Sequence, residues 1–450
     1  MPTPLPQQLK RFDSERLSLY KANLSFYQGD QWPRSRRTQR QRRQLTFNYA
    51  RTVVNKITAY VMQGRSINVA PASDDEAAIA AAAAAEQAIA TVHADNHADR
   101  LDYDTEVDTA VMGDGAFKVT WDTERAQVRI TAPDVQGIYV WPLPHDLTTF
   151  QRVCHRYQLP GNDPFVAAYA RAPDKPVNVI EDWTEALFDL WIEETPVSSV
   201  ANPYGFIPYV IFPNESQPKK WFGISDIEYI RVPCEQLNRT VTRVDSILEL
   251  SGNPITVLEG ITQSEDIAAE PGAVWEIPAG AKAYLLDLLK GGGLKLHMDY
   301  VELLRDMLED LAETPRTAFG ETERDLSGIA LQIQLQPLLQ KVERKRLIRT
   351  AAYIRRTEMA LQLLAQFAKQ DHTSAGQLVV NWEAPTPNDR SVAIANEVLL
   401  TTNALASRRA AIARLGDVAD VDKELQMIAQ DAPAVAQGGG GDNGRRAAPA

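Results

Sequence analysis

The stretch Ser225–Ser251, SDIEYIRVPCEQLNRTVTRVDSILELS, decides how this chain is read. Its apolar residues fall at Ile227, Ile230, Cys234, Leu237, Val241, Val244 and Leu248. Alternating steps of three and four put them on one narrow stripe of a helix, suited to packing on a second helix. At 1.5 Å per residue the segment spans about 40 Å. Pro233 lies early and predicts a kink or a delayed start. Gly252-Asn253-Pro254 ends it.

A partner helix follows at residues 295–313, KLHMDYVELLRDMLEDLAE. Tyr300, Leu303, Leu304, Met307, Leu308 and Leu311 are expected on one side. The other faces carry Asp299, Glu302, Asp306, Glu309, Asp310 and Glu313, opposed between 299 and 313 by Arg305 alone. The insertion between the helices reads as short strands, ITVLEG, AVWEIP and AYLLDL, ending in Gly291-Gly292-Gly293.

Upstream, residues 1–60 read as helical and polar. They include the run RSRRTQRQRR, with Arg34, Arg36, Arg37, Arg40, Arg42 and Arg43. No aromatic residues interleave with these arginines for base stacking, so a solvated loop meeting acidic surface competes with phosphate binding. Residues 75–113 form a helical stretch. Ala116–Trp121, Val128–Thr131, Ile138–Trp141, Val177–Trp183 and Phe206–Phe212 read as strands, the last interrupted by Pro208 and therefore an edge. Downstream, Pro315 closes the second long helix, and a third helical run extends from Gly328 to Phe367 with Pro337 inside it. Its middle is basic, with Lys341, Arg344, Lys345, Arg346, Arg349, Arg355 and Arg356. A strand at Gln377–Trp382, short helices over 388–431 and a Gly/Ala/Pro-rich tail at 432–450, expected to be disordered, complete an α+β, mainly α, chain.

At 450 residues the chain implies two to four domains. Hydrophobic and charged shares of 44% and 24% are those of a soluble globular protein. Two separated cysteines, Cys154 and Cys234, imply a reducing compartment. The start MPTPLPQQLKRF has no apolar signal-like stretch, and the run Ala77–Ala90 is expected to fall short of a bilayer span. A net charge of −12 has the wrong sign for gripping nucleic acid by counterion release, though not for a surface that DNA must pass without sticking.

Catalytic signatures are missing. There is no G-x-x-x-x-G-K-[ST] phosphate cradle, and Gly291-Gly292-Gly293-Leu294-Lys295 lacks its spacing. His93 and His97 stand four apart on an expected helix without the glutamate of a metalloprotease motif, and read as surface histidines. No nucleophile elbow appears, and the neighbours Cys154 and His155 are no catalytic pair by adjacency alone. Neither a cofactor, a metal nor an enzymatic activity is expected. The acidic face of 299–313 is either a solvated helix face or a wall turned to a polyanion, whose like charges hold DNA phosphates at a distance.

Several segments, in order, resemble the portal proteins of tailed double-stranded DNA bacteriophages, in the siphophage-like branch. These are Phe47-Asn48-Tyr49 with Val53–Gly64, Gly113–Trp121, Gly205–Asn214, Phe222–Ile227, Leu237-Asn238-Arg239, Ser327–Leu331, Pro387-Asn388-Asp389, Leu415–Asp422 and Glu424-Leu425. The resemblance covers roughly 45–430. It implies a wing (1–224 with the long kinked helix and strand of 328–385), a stem (225–252 and 295–314), a clip (253–294), a tunnel loop (315–327) and a helical crown (386–431). It also implies a closed homo-oligomeric ring of about twelve subunits, at a capsid vertex of the virion after assembly in the host cytoplasm. The implied partners are the terminase large subunit, major capsid and scaffolding proteins, a head-completion or connector protein, and double-stranded DNA in transit, with no membrane. In the tunnel loop, Arg316, Thr322 and Arg324 become candidates for touching phosphates, with Phe319 packing the loop on a neighbour. Pairing of these residues between subunits with Glu321, Glu323 or Asp325 is the competing expectation. In the clip, Val274, Trp275 and Ile277 become candidates for the docking sheet, with Trp275 equally suited to a core. A DNA-processing nuclease or motor component and a helical adaptor or scaffold remain the alternatives.

Overall fold

The structure, a computed structural model, describes residues 5–9, 12–32, 44–252, 255–259, 280, 282–286, 293–321, 328–384, 390–416, 418 and 421–431. The chain divides into two compact units, Met1–Pro385 and Thr386–Ala450.

In the first unit, helices α1 (Leu5–Leu9), α2 (Ser14–Tyr27) and α3 (Tyr49–Val61) lead into strand β1 (Arg65–Pro71). Helices α4 (Glu76–Asp95) and α5 (Ala98–Met112) follow. The strand-rich part comprises β2 (Asp114–Asp122), β3 (Gln127–Thr131), β4 (Ile138–Leu143), β5 (Asp146–Leu159), β6 (Val177–Trp183), β7 (Leu187–Ile192), β8 (Thr195–Ala201) and β9 (Tyr209–Pro213). Helix α6 (Arg231–Gly252) and helix α7 (Gly293–Ala312) flank the antiparallel pair β10 (Ile255–Glu259) and β11 (Lys282–Leu286). Helix α8 (Gly328–Leu363) precedes strand β12 (Gly376–Trp382).

Strands β4 to β8 form a five-stranded meander, and β3-β2-β9 a three-stranded sheet. β12 returns to pair antiparallel with β1, joining the end of the unit to its beginning. Pro208 sits just before β9, an edge strand, and uses only its carbonyl, which accepts from Val119 N at 2.9 Å. The edge expected from a proline is therefore present, but the strand starts at Tyr209, three residues after the expected Phe206, with Pro208 before it rather than within it.

The helical stretch expected over 75–113 breaks into α4 and α5. The Asn96 side chain donates to Val92 O and Val128 O and accepts from Ile130 N, which ties the break to β3. His97 takes a left-handed φ of 48° as the N-cap of α5. His93 and His97 thus do not share one helix face, and among the described residues no cluster of three or more potential metal ligands forms. Contrary to the expected shortfall of Ala77–Ala90, α4 runs for 20 residues and is long and apolar enough to cross a membrane. Its stripe Ala82, Ala85, Ile89 and Val92 is instead packed in a core with Val69, Ile130 and Leu361.

Helix α6 begins at Arg231, so Pro233 falls in the first turn, where a missing N–H costs nothing. Pro337 lies inside the 36-residue α8 and removes one donor from its ladder. α8 is the spine of the unit and touches α3, α4, β2, β9 and β12. Its first half closes a core with α3, α5, α6 and α7 through Leu338 and Val342. Its second half closes another with β1, α4 and β2 through Tyr353, Met359 and Leu363.

In the second unit, α9 (Arg390–Thr402), α10 (Arg408–Leu415) and α11 (Val421–Asp431) are short helices. Ser407 caps α10 by accepting from Ala410 N at 3.1 Å. Arg414 grips Glu397 with two bonds, at 2.8 and 2.7 Å.

Candidate functional site

The packed pair α6 and α7 and the turn that follows it carry most of the sequence-derived candidates. Cys234, Leu237 and Val244 of α6 are buried, with Val241 packed beside them. Leu304, Leu308 and Ala312 of α7 meet that surface, with Val301 at the margin. The single apolar side expected for α7 is in fact two. Tyr300, Leu303, Met307 and Leu311 stay exposed, and Leu296 joins them at 71% exposure. Positions 296, 300, 303, 307 and 311 form a separate stripe about 100° round the helix from the buried one. A single partner helix covers only one of the two.

The carboxylates occupy the remaining arc. Arg316, in the turn Arg316–Phe319, reaches back to Glu302 at 2.5 Å, Asp306 at 2.7 Å and Glu309 at 3.0 Å. The hydrogen bond to Glu302, against a smaller opposing effect of desolvation, raises the pKa of Arg316, with Glu309 and Asp306 adding to it. Burial pushes the Glu309 carboxyl up, and Arg316 partly offsets this. Arg305 pairs with Glu321 at 3.0 Å, and Arg344 of α8 with Glu313 at 2.7 Å. The acidic face is therefore opposed by three cations rather than by Arg305 alone. Asp299 and Asp310 make no ion pair among the described residues. Arg316 pairs with α7 rather than with Glu321. Phe319 packs within its own chain, its ring centroid 5.8 Å from that of Tyr49, with Lys56 Nζ 5.9 Å away. Gly320 closes the turn at φ 90°, a conformation that favours glycine.

The basic middle of α8 is the feature that sequence reasoning left without a role. Lys341, Lys345, Arg349 and Arg356 recur at four, four and seven residues, on one face, and all are buried. Lys345 binds Asp226 at 2.6 Å and Asn214 at 2.7 Å, and Lys341 approaches the same carboxylate at 3.3 Å. Burial alone would raise the pKa of Asp226, but Lys345 and Lys341 hold it well below the usual range. Arg349 makes two 2.8 Å bonds to Glu106 and also reaches Pro213 O, Asn214 O and Asn214 Oδ1. Arg356 and Arg65 both pair with the buried Asp102. Arg346 donates to Tyr60 O, Val61 O and Gln63 O, satisfying carbonyls at the end of α3. Burial, then the nearby Arg356 and Arg65, depress His93 to about 4. These cations fasten α8 to α5 and to the segment leading into α6. The periodicity was visible in the sequence, while the distant partners Asp102, Glu106 and Asp226 carried no local signal.

A comparison with protein families matches residues 7–437 to the family described as phage portal protein, SPP1 Gp6-like. The chain belongs to this family. No curated protein matches it. As a phage portal protein it acts at the capsid vertex in DNA packaging, in a family of homo-oligomeric ring proteins with capsid and terminase partners. Several portal candidates lie outside the described residues: Thr322 and Arg324 after the turn, Val274, Trp275 and Ile277 between β10 and β11, and the Arg34–Arg43 run.

Proposed function

We propose that α7 lines the DNA channel of a ring of about twelve portal subunits and that its acidic arc faces the duplex. The supporting observation is the placement of Asp299, Glu302, Asp306, Glu309, Asp310 and Glu313 on the arc of α7 that points away from α6. Like charge keeps phosphates from adhering, so DNA slides. In this reading α6 and α7 are the stem, 253–294 the clip and 315–327 the tunnel loop. Residues 1–224 with 328–385 form the wing, and 386–431 the crown. The clip, with Val274, Trp275 and Ile277, docks the terminase large subunit and later a head-completion protein. Scaffolding and major capsid proteins surround the ring. The subunit carries no phosphate cradle, so the packaging motor supplies the energy.

Within the tunnel loop, Arg324 and Thr322 approach phosphate, while Arg316 and Phe319 anchor the base of the loop on α7 and α3. An Arg324→Glu ring is expected to assemble and to package less DNA. Normal packaging by that ring would remove the role given to the loop. Native mass spectrometry and particle imaging test the ring itself. About twelve or thirteen chains are expected, whereas a stable monomer or dimer contradicts the reading.

A further inference from the structure

The exposed stripe of α7, Leu296, Tyr300, Leu303, Met307 and Leu311, is between 39% and 71% exposed although it lies on an ordered helix. A contiguous apolar surface of this kind marks an interface. We infer that this stripe packs against the outer side of α6 of the neighbouring subunit, so that each α7 is held between its own α6 and the next. The inference rests on the portal reading and goes on to assign the mating surfaces.

Three faces of α7 fix the geometry. The buried stripe, the exposed stripe and the centre of the carboxylate arc stand about 100° to 150° apart round the helix. If the carboxylates face the channel, the outward arc is shared by the two apolar stripes. One stripe is filled by the subunit's own α6, and only a second helix layer can fill the other. In a closed ring the contact is heterologous, so the stripe meets a different surface, not its own copy.

The outer side of α6 is that surface. Its inner side packs on α7, and a further side is taken by residues 45–47: Leu45 N bonds Thr242 Oγ1 at 3.1 Å and Phe47 N bonds Asn238 Oδ1 at 2.8 Å. The remaining side carries Val232, Gln236, Arg239 and Arg243, spaced four, three and four. Arg243 is exposed and has no carboxylate partner among the described residues. On α7 the two carboxylates without a cation, Asp299 and Asp310, border the exposed apolar stripe, whereas the four that are paired lie further round. Cationic α6 and acid-edged α7 are therefore complementary in charge.

Cross-linking tests the contact directly, because the native cysteines Cys154 and Cys234 are both buried. Chains carrying Leu303→Cys and chains carrying Arg243→Cys, co-expressed and oxidised, are expected to give a disulfide-linked dimer, and neither variant alone is expected to give one. A Leu303→Cys dimer without the other variant would mean that the stripe meets itself and would overturn the assignment. So would an intact mixed ring with no dimer. Independently, Leu303→Asp/Met307→Asp changes two exposed side chains and is expected to leave the circular dichroism unchanged while the ring is lost to single chains. A ring that survives this change removes the interface alone. A wild-type chain that forms no ring removes the portal reading and the interface with it.

Discussion

Arg349 and Glu106 allow the internal ion-pair framework to be tested quantitatively. Their side chains are 0% and 1% exposed, so solvent screening does not weaken the pair. Glu106→Leu leaves the guanidinium with Pro213 O, Asn214 O and Asn214 Oδ1 but no counter-charge, at a cost of about 3 kcal/mol. Arg349→Met leaves a buried carboxylate and removes the donors to those oxygens, costing about 4 kcal/mol. Asn214 Oδ1 still accepts from Lys345 at 2.7 Å, so the two backbone carbonyls are the principal orphans.

The double variant, Glu106→Leu/Arg349→Met, removes both charges and leaves only those orphaned carbonyls. It is expected to cost about 3 kcal/mol, well short of the roughly 7 kcal/mol sum of the singles. Urea denaturation followed by tryptophan fluorescence, at one fixed chain concentration because a ring's stability depends on it, gives the cycle. The reasoning fails if the double variant equals the sum of the singles, or if either single costs less than about 1 kcal/mol, for then the pair does not fasten α8 to α5.

Two further outcomes follow from other buried or partly buried groups. Asp114 is buried, which pushes its pKa up to about 7 from 3.8, against the Tyr20 and Gly223 hydrogen bonds that lower it. The folded chain therefore holds a proton that the unfolded chain releases between these pH values, and stability falls as pH rises through that window, by about 4 kcal/mol at most. In Asp114→Asn this slope disappears: its stability relative to wild type should rise by about 2 to 4 kcal/mol between pH 4 and pH 8, and a flat difference would be incompatible with a buried titrating carboxyl. Arg316→Ala should loosen the turn beneath α7. Because Glu302 and Asp306 are about half exposed, the loss is limited to about 1 kcal/mol. Amide hydrogen exchange over 316–321 should accelerate roughly five-fold, and an unchanged rate would mean that the three carboxylates do not hold the turn.

Periodic signals were legible in the sequence and non-local ones were not. The α6 stripe, the proline at its start and the α8 run follow from spacing alone. The extent of the meander did not, because β5, β7 and β8 alternate weakly: Thr195–Ala201 is almost wholly exposed and gives no buried face to detect. Strand β1 was missed for a similar reason, since one residue of its seven is buried and its partner β12 lies some three hundred positions away. The split of α7 into two apolar stripes was hidden because seven apolar positions in twelve residues look like one broad face until a partner of fixed width is set against them. For Arg316, the acidic residues weighed as partners belonged to its own loop, whereas the fold turns it back on Glu302, Asp306 and Glu309 of α7, seven to fourteen positions upstream.

The disposition of charge connects the framework to the channel. A chain of net charge −12 still contains 47 lysines and arginines, and a channel lined by it would adhere to DNA wherever those cations faced inward. Along the middle of α8 five of seven cations are held internally: Lys341, Lys345, Arg346, Arg349 and Arg356 are buried against carboxylates or carbonyls, while Arg344 and Arg355 are about half exposed and paired with Glu313 and Glu358. That arrangement leaves carboxylates in excess on α7. The same residues that bind α8 to α5 and to the approach of α6 thereby withhold positive charge from the surface. Arg316, like Arg344 and Arg355, is partly exposed but paired, its charge held by Glu302, Asp306 and Glu309. The ion pairs of Lys341, Lys345, Arg349 and Arg356 thus both brace α8 against its neighbours and keep those cations off the surface, and loss of an internal partner such as Glu106 or Asp102 acts on both, by loosening the frame and by releasing a cation from it.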